Sequence, residues 1–196
     1  LAGLGSLAAR PLSAHTAAAT DQAQPGAAPA ASGVTRALAR YVVEARAVDV
    51  PAAVRKEAQR TLLNWVGCAV GGSRHETLDA ALAALTPFSG PPQASVLGRR
   101  VRLDVLHAAL MNGISSHVFD YDDTHLKTVI HPAGPVVSGL LALSEHQPMS
   151  GADFLHAMIL GIEVECRIGN AVYPAHYDRG WHITGTAGVF GAAAAC

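Results

Sequence analysis

The sequence predicts an all-α fold, and three observations support that prediction. After residue 33, apolar residues recur at three- and four-residue spacing, as amphipathic helices require. Strand signals, meaning strict polar–apolar alternation with aromatic and β-branched residues, are nearly absent. No segment recurs at a fixed period, so the chain is not a repeat array. With 196 residues, 50% of them hydrophobic, the chain is long enough and apolar enough to bury a core.

Residues 1–33 differ from everything that follows. They contain twelve alanines, one Arg and one Asp, and they show neither helical nor strand periodicity. The apolar run Leu1–Ala9, followed by small residues, resembles the end of an export signal, and the alternative is a structureless Ala/Pro-rich tail. We therefore assign no fold to residues 1–33 and predict one helical domain at residues 34–196. Because the chain lacks an initiator Met and ends at Cys196 without a helix stop signal, we expect it to be part of a longer protein.

The helix boundaries follow from the apolar spacing and from capping residues. Pro51 stands where the first turn of a helix tolerates proline, and Gly71-Gly72 marks where that helix ends. Ser150 followed by Asp153 is a capping-box-like start for a long helix. Residues 94–97 form either a short strand or an extended segment. The periodicity predicts helices over residues 34–42, 51–72, 78–85, 102–118, 135–143 and 150–166.

Charge and cysteine content argue against several classes of protein. Lys and Arg total 14 against 15 Asp and Glu, so a basic nucleic-acid-binding face is not predicted. No stretch approaches the roughly 18 consecutive apolar residues that a membrane helix needs. The three cysteines, Cys68, Cys166 and Cys196, form no CxxC pair, which argues against a zinc ribbon or an iron–sulfur cluster. We therefore predict no nucleic-acid partner, no membrane partner, and no metal or cofactor held by cysteines.

A dense polar segment lies between two apolar helices, at residues 117–131. Loops carried by rigid helices often hold functional sites, although an ordinary solvated loop has the same composition. A calcium loop is excluded because His125 and His131 stand where an EF-hand needs Gly and Glu. Acid–base catalysis on an anionic substrate is one interpretation, since imidazole and carboxylate groups transfer protons near neutral pH. A metal site is the other, and it would use His117, Asp120, His125 and His131.

A second polar cluster, residues 176–184, precedes a segment rich in Gly, Ala and Thr. A histidine ahead of such a helix start is typical of an anion held at a helix N-terminus, and a loop with a packed Trp181 is the alternative. Within the preceding apolar helix, Glu163 and Glu165 are either a surface pair or a buried acid. The cluster contains His176, Tyr177, Asp178, Arg179, Trp181, His182 and Thr184.

Five blocks, in the same order along residues 34–196, resemble the MmgE/PrpD family. The second block, His-Val-Phe-Asp-Tyr-Asp-Asp-Thr-His, resembles the family's hallmark H-x-x-D-[FY]-D-D-T-H. The first departs from the family pattern in having Asn64 where Asp is usual, a difference that bears on helix packing rather than chemistry. The chain is thus similar to the N-terminal helical domain of the family. The blocks are Leu63–Gly72, His117–His125, His131-Pro132, Gly161–Val164 and Trp181–Thr186.

The resemblance implies a large helical domain joined to a smaller α/β lid domain, usually in a homodimer, with the lid outside this chain. Members include 2-methylcitrate dehydratase, cis-aconitate decarboxylase and iminodisuccinate epimerase, which act on small di- or tricarboxylates without a metal. A cytoplasmic location is implied too, whereas an export signal in residues 1–20 would send the protein to the periplasm. The gap from Thr124 to His131 is one residue longer than in the decarboxylase branch, which argues against that activity. Asp120, Thr124, His131 and His182 match the family's active-site residues.

These residues suit acid–base chemistry at a carbon next to a carboxylate. Such a reaction needs hydrogen-bond donors that stabilise enediolate charge, and it needs both a base and an acid. We expect His131 to be the principal acid or base and Asp120 to tune it. His182 would bind the anion or act as a second proton carrier. The substrate-binding residues would be Thr124, His125 and Lys127.

The predicted function is metal-independent hydration or dehydration of a small di- or tricarboxylate such as 2-methylcitrate. Decarboxylation or epimerisation within the same family is the first alternative. A truncated, non-catalytic helical module and a zinc- or iron-dependent hydrolase are the others. Because the family's further lysines and lid domain lie beyond Cys196, we expect this stretch alone to be inactive.

Overall fold

The computed structural model describes residues 33–196, so the predicted export signal or tail lies outside the described residues except for Gly33. Within this range the regular structure is eight α-helices, two single 3-10 turns and one two-stranded sheet, which confirms the all-α class. The helices are α1 (Val34–Glu44), α2 (Ala52–Gly72), α3 (Glu76–Leu85), α4 (Val105–His117), α5 (Ala133–His146), α6 (Gly151–Val172), α7 (Ala175–Asp178) and α8 (Ile183–Ala195).

The start of the fourth helix was predicted wrongly, and the third, fifth and sixth helices extend beyond their predicted bounds by up to six residues. The apolar spacing predicted a helix over residues 102–118, but α4 begins at Val105. The two residues before Asp104 form strand β2 (Arg102–Leu103), which pairs antiparallel with β1 (Ala94–Ser95). Asp104 separates the strand from the helix because its carboxylate accepts the backbone N–H groups of the first turn of α4, at 3.0 and 3.1 Å. For residues 94–97 the sequence left a strand or an extended segment open. The first two of these residues form a strand.

The small sheet is joined to the helices by polar contacts. Asn112 of α4 is fully buried, and its side chain accepts the Leu97 N–H at 2.9 Å and donates to the Ser95 carbonyl at 2.9 Å. Glu145 of α5 accepts the Ser95 N–H at 2.9 Å. In the connection between the strands, Gly98 has a φ of +70°, and a side chain there would collide with the Ser73 hydroxyl. These contacts hold α4 against the sheet. They thereby fix the position of its C-terminal residue.

Helix α5 is the centre of the core. Its Val136, Val137 and Leu140 are fully buried, and the helix packs against α2, α4, α6 and α8. Trp65 of α2 and Met158 of α6 are buried in the same cluster. Because α5 begins directly after the polar loop that follows α4, this packing holds one end of that loop in a fixed position.

Helix α6 presents different acids on two faces. Ser150 is its N-cap, as predicted, and accepts the Asp153 N–H at 3.1 Å. Glu163 lies at the surface and pairs with Arg167 at 2.6 Å. Glu165 is fully buried against α8, which resolves the two interpretations of the pair in favour of one surface acid and one buried acid. No helix within residues 33–196 is both long enough and apolar enough to cross a bilayer.

Candidate active site

A loop between α4 and α5, residues 118–132, carries most of the candidate site. The loop contains two residues in the left-handed region, Asp120 with φ +54° and Val129 with φ +56°. The left-handed region is unfavourable for a β-branched residue such as Val129, and strained backbone of this kind is concentrated at functional sites. His125 and Ile130 form an isolated antiparallel bridge in which the His125 N–H donates to the Ile130 carbonyl at 2.7 Å. The bridge folds residues 126–129 into a tip and returns the chain to the site at His131.

One ring nitrogen of His131 is hydrogen-bonded to the backbone, and the other can accept a proton. Its side chain is 12% exposed. Nδ1 lies 3.0 Å from the Asp123 carbonyl oxygen, and because a carbonyl can only accept, Nδ1 carries the hydrogen. Nε2 of the neutral ring is then a proton acceptor, and it lies 3.5 Å from Oδ1 of Asp120. This is the arrangement of a base with a carboxylate near enough to face the imidazolium that forms on protonation.

A second histidine, His117, closes α4 next to His131. Its Nδ1 lies 3.0 Å from Oδ1 and 3.2 Å from Oδ2 of Asp122, whose side chain is completely buried. The two imidazole ring centroids of His117 and His131 are 4.8 Å apart. The Asp122 carboxylate is also 3.5 Å from Nδ1 of His131, so this buried acid lies beside both rings.

The neighbouring acid, Asp123, joins the loop to α5. Its carboxylate accepts the Ala133 N–H at 3.2 Å at the first residue of the helix. Burial, more than the charge of Asp122, raises the pKa of Asp123 to about 6, although the Ala133 N–H opposes that rise. Its backbone carbonyl contacts Nδ1 of His131, so Asp123 links the start of α5 to the tautomer of His131.

The second polar cluster meets the first at the start of α8. His182 is the N-cap of α8, and its Nδ1 accepts the Gly185 N–H at 3.1 Å. Two residues later, the Thr184 hydroxyl accepts the His131 N–H at 3.1 Å. The ring centroids of His182 and His117 are 6.3 Å apart. Residues that are about fifty positions apart in the chain are thus joined by a direct hydrogen bond.

These elements enclose a cleft of about 290 Å³. It is large enough for a small organic acid, and it adjoins a second cleft of about 630 Å³ that shares Gly113, His117, Gly134 and Pro135. The walls of the first cleft are formed by imidazole rings and by glycines near the starts of α5 and α8. The lining residues are Gly113, His117, Asp122, His131, Gly134, Pro135, His182, Thr184, Gly185, Gly188 and Val189.

A four-residue set in this site has ligand types that zinc accepts, namely His117, Asp120, Asp122 and His131. It retains three of the four residues of the predicted metal alternative. The ligand atoms lie within 4.8 Å of one another, whereas tetrahedral zinc ligands are about 3.4 Å apart. Moreover, His131 turns one ring nitrogen to Asp120 and the opposite one to Asp122, so one ion could not use both directions. The geometry therefore suits proton transfer better than a tetrahedral ion.

The predicted site residues occupy different positions. His131 and His182 line the cleft, and Asp120 lies at its rim with 76% of its side chain exposed. Thr124 is exposed, and its hydroxyl lies 3.4 Å from Nδ1 of His131. The other two are not among the cleft-lining residues: the ring of His125 contacts the Thr128 hydroxyl at 2.7 Å, and Lys127 is exposed at the loop tip.

Sequence reasoning missed two residues that the structure places in the cleft. Asp122 was one of three acids in a row of four residues, and nothing local distinguished the one whose side chain is buried. Thr184 was noted only as part of a helix start. His117 was named only for the metal alternative, although it is the last residue of the helix and stands three positions before the first of these acids.

Comparison with known sequences gives a consistent result. The sequence profile of the MmgE/PrpD N-terminal domain matches residues 36–196. A cis-aconitate decarboxylase-like protein of Aspergillus oryzae is 33% identical over 170 residues, covering 83% of this chain and 35% of that protein. Cis-aconitate decarboxylase of Aspergillus terreus is 30% identical, covering 78% of the chain and 32% of the relative. The human cis-aconitate decarboxylase is 33% identical, covering 72% of this chain and 31% of the relative. The chain thus spans about a third of the length of these curated relatives.

Proposed function

Since this chain belongs to the MmgE/PrpD family, we propose that it supplies the acid–base groups of a lyase acting on a small di- or tricarboxylate. The observation that carries the proposal is the state of His131, whose Nδ1–H is held by the Asp123 carbonyl while Nε2 accepts protons at the cleft. A general base must present a free nitrogen where a substrate can reach it, and this ring does so.

The proposed step is proton transfer at the carbon next to a carboxylate. Nε2 of His131 takes the proton, and the electrons of the C–H bond move into an enediolate or directly into a new C=C bond. Asp120 faces the resulting imidazolium from 3.5 Å. The same ring, once protonated, can return the proton to a carbanion, so either direction of the reaction uses one group.

Hydrogen-bond donors at the start of α8 support anion binding. Because Nδ1 of His182 accepts the Gly185 N–H, the neutral ring keeps its hydrogen on Nε2 and acts there as a donor. The N-terminus of α8 lies at the same place and favours negative charge. We propose that a substrate carboxylate binds here, with Thr124 as a further contact at the rim and Lys127 as a contact from the exposed loop tip. The homodimer that the resemblance implies stays a prediction.

Two departing groups are compatible with this chemistry. Loss of CO₂ is the reaction named for the relatives, and it needs one proton donor to quench the carbanion. Loss of water, from a β-hydroxy acid such as 2-methylcitrate, is the second, and it is supported by the resemblance to the family, which implies a loop between Thr124 and His131 one residue longer than in the decarboxylase branch. That loop contains Val129 in the left-handed region and leads directly into His131.

The test is proton NMR, in deuterated water with 2-methylcitrate, citrate and cis-aconitate, of the full-length protein of which we expect this chain to be a part. We expect product formation or α-deuterium exchange that His131→Ala reduces by about 100-fold or more, since a general acid or base contributes that much. His146→Ala is the matched control, because His146 is an exposed histidine at the other end of α5. It should leave the rate unchanged.

Each reaction is repeated with EDTA and with added Zn²⁺. Activity that survives EDTA supports the proton-transfer mechanism. Activity that is lost with EDTA and returns with zinc would overturn it in favour of the metal interpretation. A folded His131→Ala variant that retains full turnover would also overturn it.

A further inference from the structure

We infer that His117, oriented by the buried carboxylate of Asp122, is the second proton carrier of this site, and that His182 is not. The inference rests on the proposed function and extends it, because it decides how many groups at the cleft can exchange protons with a substrate. Loss of water needs two such groups and loss of CO₂ needs one, so the assignment also bears on the substrate class.

The hydrogen-bond pattern of His182 argues against proton transfer. Its Nδ1 is occupied by the Gly185 N–H, so the neutral ring already carries its one hydrogen on Nε2. To accept a proton, the ring would have to use Nδ1 and give up the N-cap of α8. To donate one from the neutral state, it would have to become an imidazolate. His182 is therefore suited to holding an anion and not to moving a proton.

The pattern of His117 is the opposite. Asp122 accepts at 3.0 Å from Nδ1, and because an ionised carboxylate can only accept, Nδ1 carries the hydrogen. Nε2 has no hydrogen-bond partner among the contacts of residues 33–196, and the ring lines the cleft with 42% of its side chain exposed. A histidine whose inner nitrogen is held by a buried carboxylate presents a fixed tautomer to the substrate.

Distances support the pairing of His117 with His131. The two ring centroids are 4.8 Å apart, closer than the 6.3 Å between His117 and His182. Asp122 lies beside both rings, at 3.0 Å from one Nδ1 and 3.5 Å from the other. Two proton-accepting nitrogens thus occupy one wall of the cleft, while the anion-binding ring lies at the start of α8.

The elimination can be written with every proton accounted for. Nε2 of His131 takes the proton next to the carboxylate, and the C–H electrons form the C=C bond. The C–O bond of the β-hydroxyl breaks as Nε2–H of protonated His117 gives its proton to the leaving oxygen, which departs as water. His131 is then protonated and His117 neutral, and exchange with water returns both rings to their starting states.

The first experiment is ¹⁵N NMR of the histidine rings in the protein. We expect the Nδ1–H tautomer for His117 and the Nε2–H tautomer for His182. Asp122→Asn should change the tautomer of the His117 ring, because the amide can either accept a hydrogen bond from Nδ1 or donate one to it. An Nε2–H tautomer of His117 in the unmodified protein would overturn the inference without any assay of turnover.

The second experiment separates the two proton transfers with 2-methylcitrate in deuterated water. His117→Gln should reduce water elimination about 100-fold or more while α-deuterium exchange continues, because His131 still removes the proton. His131→Ala should abolish both. Asp122→Asn, a change in a positioning residue, should lower kcat and leave KM nearly unchanged.

His107→Gln is the matched control for His117→Gln. His107 is on the same helix and also pairs through Nδ1 with a carboxylate, that of Asp104, at 2.6 Å, but it is not among the residues that line the cleft. It should leave both rates unchanged. If His117→Gln eliminates water normally, the inference is wrong while the proposed function stands. If the unmodified full-length protein neither exchanges nor turns over any of the three acids, the proposed function fails, and the role of His117 fails with it.

Discussion

Two acids of this domain have completely buried side chains in very different surroundings. Asp122 lies in the loop before α5 and has an imidazole N–H donating to it at 3.0 Å. Glu165 lies between α6 and α8, and neither of its carboxyl oxygens has a hydrogen-bond partner within residues 33–196. Burial raises the pKa of Glu165 to about 9, with a smaller contribution from Asp123. The comparison teaches that a buried acid without a hydrogen-bond partner is driven to its neutral form. A buried acid that orients a catalytic ring needs a hydrogen-bond donor beside it.

The room for Glu165 is provided by glycines. A side-chain carbon on Gly191 would lie 2.8 Å from Oε2 of Glu165, and one on Gly188 would lie 3.6 Å from Oε1. Helix α8 therefore packs its glycine face directly on the acid, and water is excluded from it. Asp122 is covered by the polar loop and by His117 instead of by a glycine face.

The largest expected effect comes from removing the partnered acid. Asp122→Leu should lower the free energy of unfolding by about 2–3 kcal/mol, because the His117 N–H loses its acceptor and the loop loses its buried anchor. Asp122→Asn retains an acceptor and should cost less than half of that. Urea unfolding monitored by circular dichroism measures both. Equal stability of the Leu variant and the unmodified protein would show that this hydrogen bond does not hold the loop.

The next effect isolates the charge of the unpartnered acid. In the folded protein the pKa of Glu165 is raised to about 9 from 4.5, so between these values the folded state binds one more proton than the unfolded state. Stability therefore falls as pH rises through this window. From pH 6.5 to 8, above the pKa of about 6 of Asp123, the unmodified protein should lose about 1.4 kcal/mol per pH unit relative to Glu165→Gln.

The measurement is the free energy of unfolding of both proteins at several pH values in one buffer series. Subtracting the Gln variant removes the contribution of the histidines, which the two proteins share. Parallel pH profiles would show that Glu165 keeps its charge when buried, which would contradict the difference between the two acids.

The sequence predicted the helices well because helix periodicity is local. The spacing of Val136, Val137 and Leu140 placed α5, and the face of α6 that buries Glu165 could have been found in the same way. Met158, Gly161 and Glu165 are three and four residues apart and all buried, whereas Glu163 lies off that face. The start of α4 was missed because strand pairing with residues 94–95 is a non-local contact.

The site was predictable only in part, for a similar reason. The resemblance to a family selected His131 and His182, but it could not show that the Thr184 hydroxyl accepts the His131 N–H. The partnership of His117 with Asp122 is formed in the folded loop, where a turn with positive φ at Asp120 comes just before the buried Asp122 side chain. Local composition offers the same carboxylates at each of these positions and does not choose among them.

The smallest expected effect tests the cost of burying Glu165 in its neutral form. Glu165→Met keeps the length of the side chain and removes two polar atoms that have no partner in the described structure, so it should raise the free energy of unfolding at pH 6 by about 1 kcal/mol. The gain should grow as pH rises, because ionisation is no longer possible. Glu163→Met is the matched surface control and should change stability by less than about 0.5 kcal/mol, since it removes only an exposed pair with Arg167. A loss of stability in the Glu165→Met variant at pH 6 would mean that the carboxyl makes an interaction worth more than its burial costs, and the contrast with Asp122 would then be one of degree.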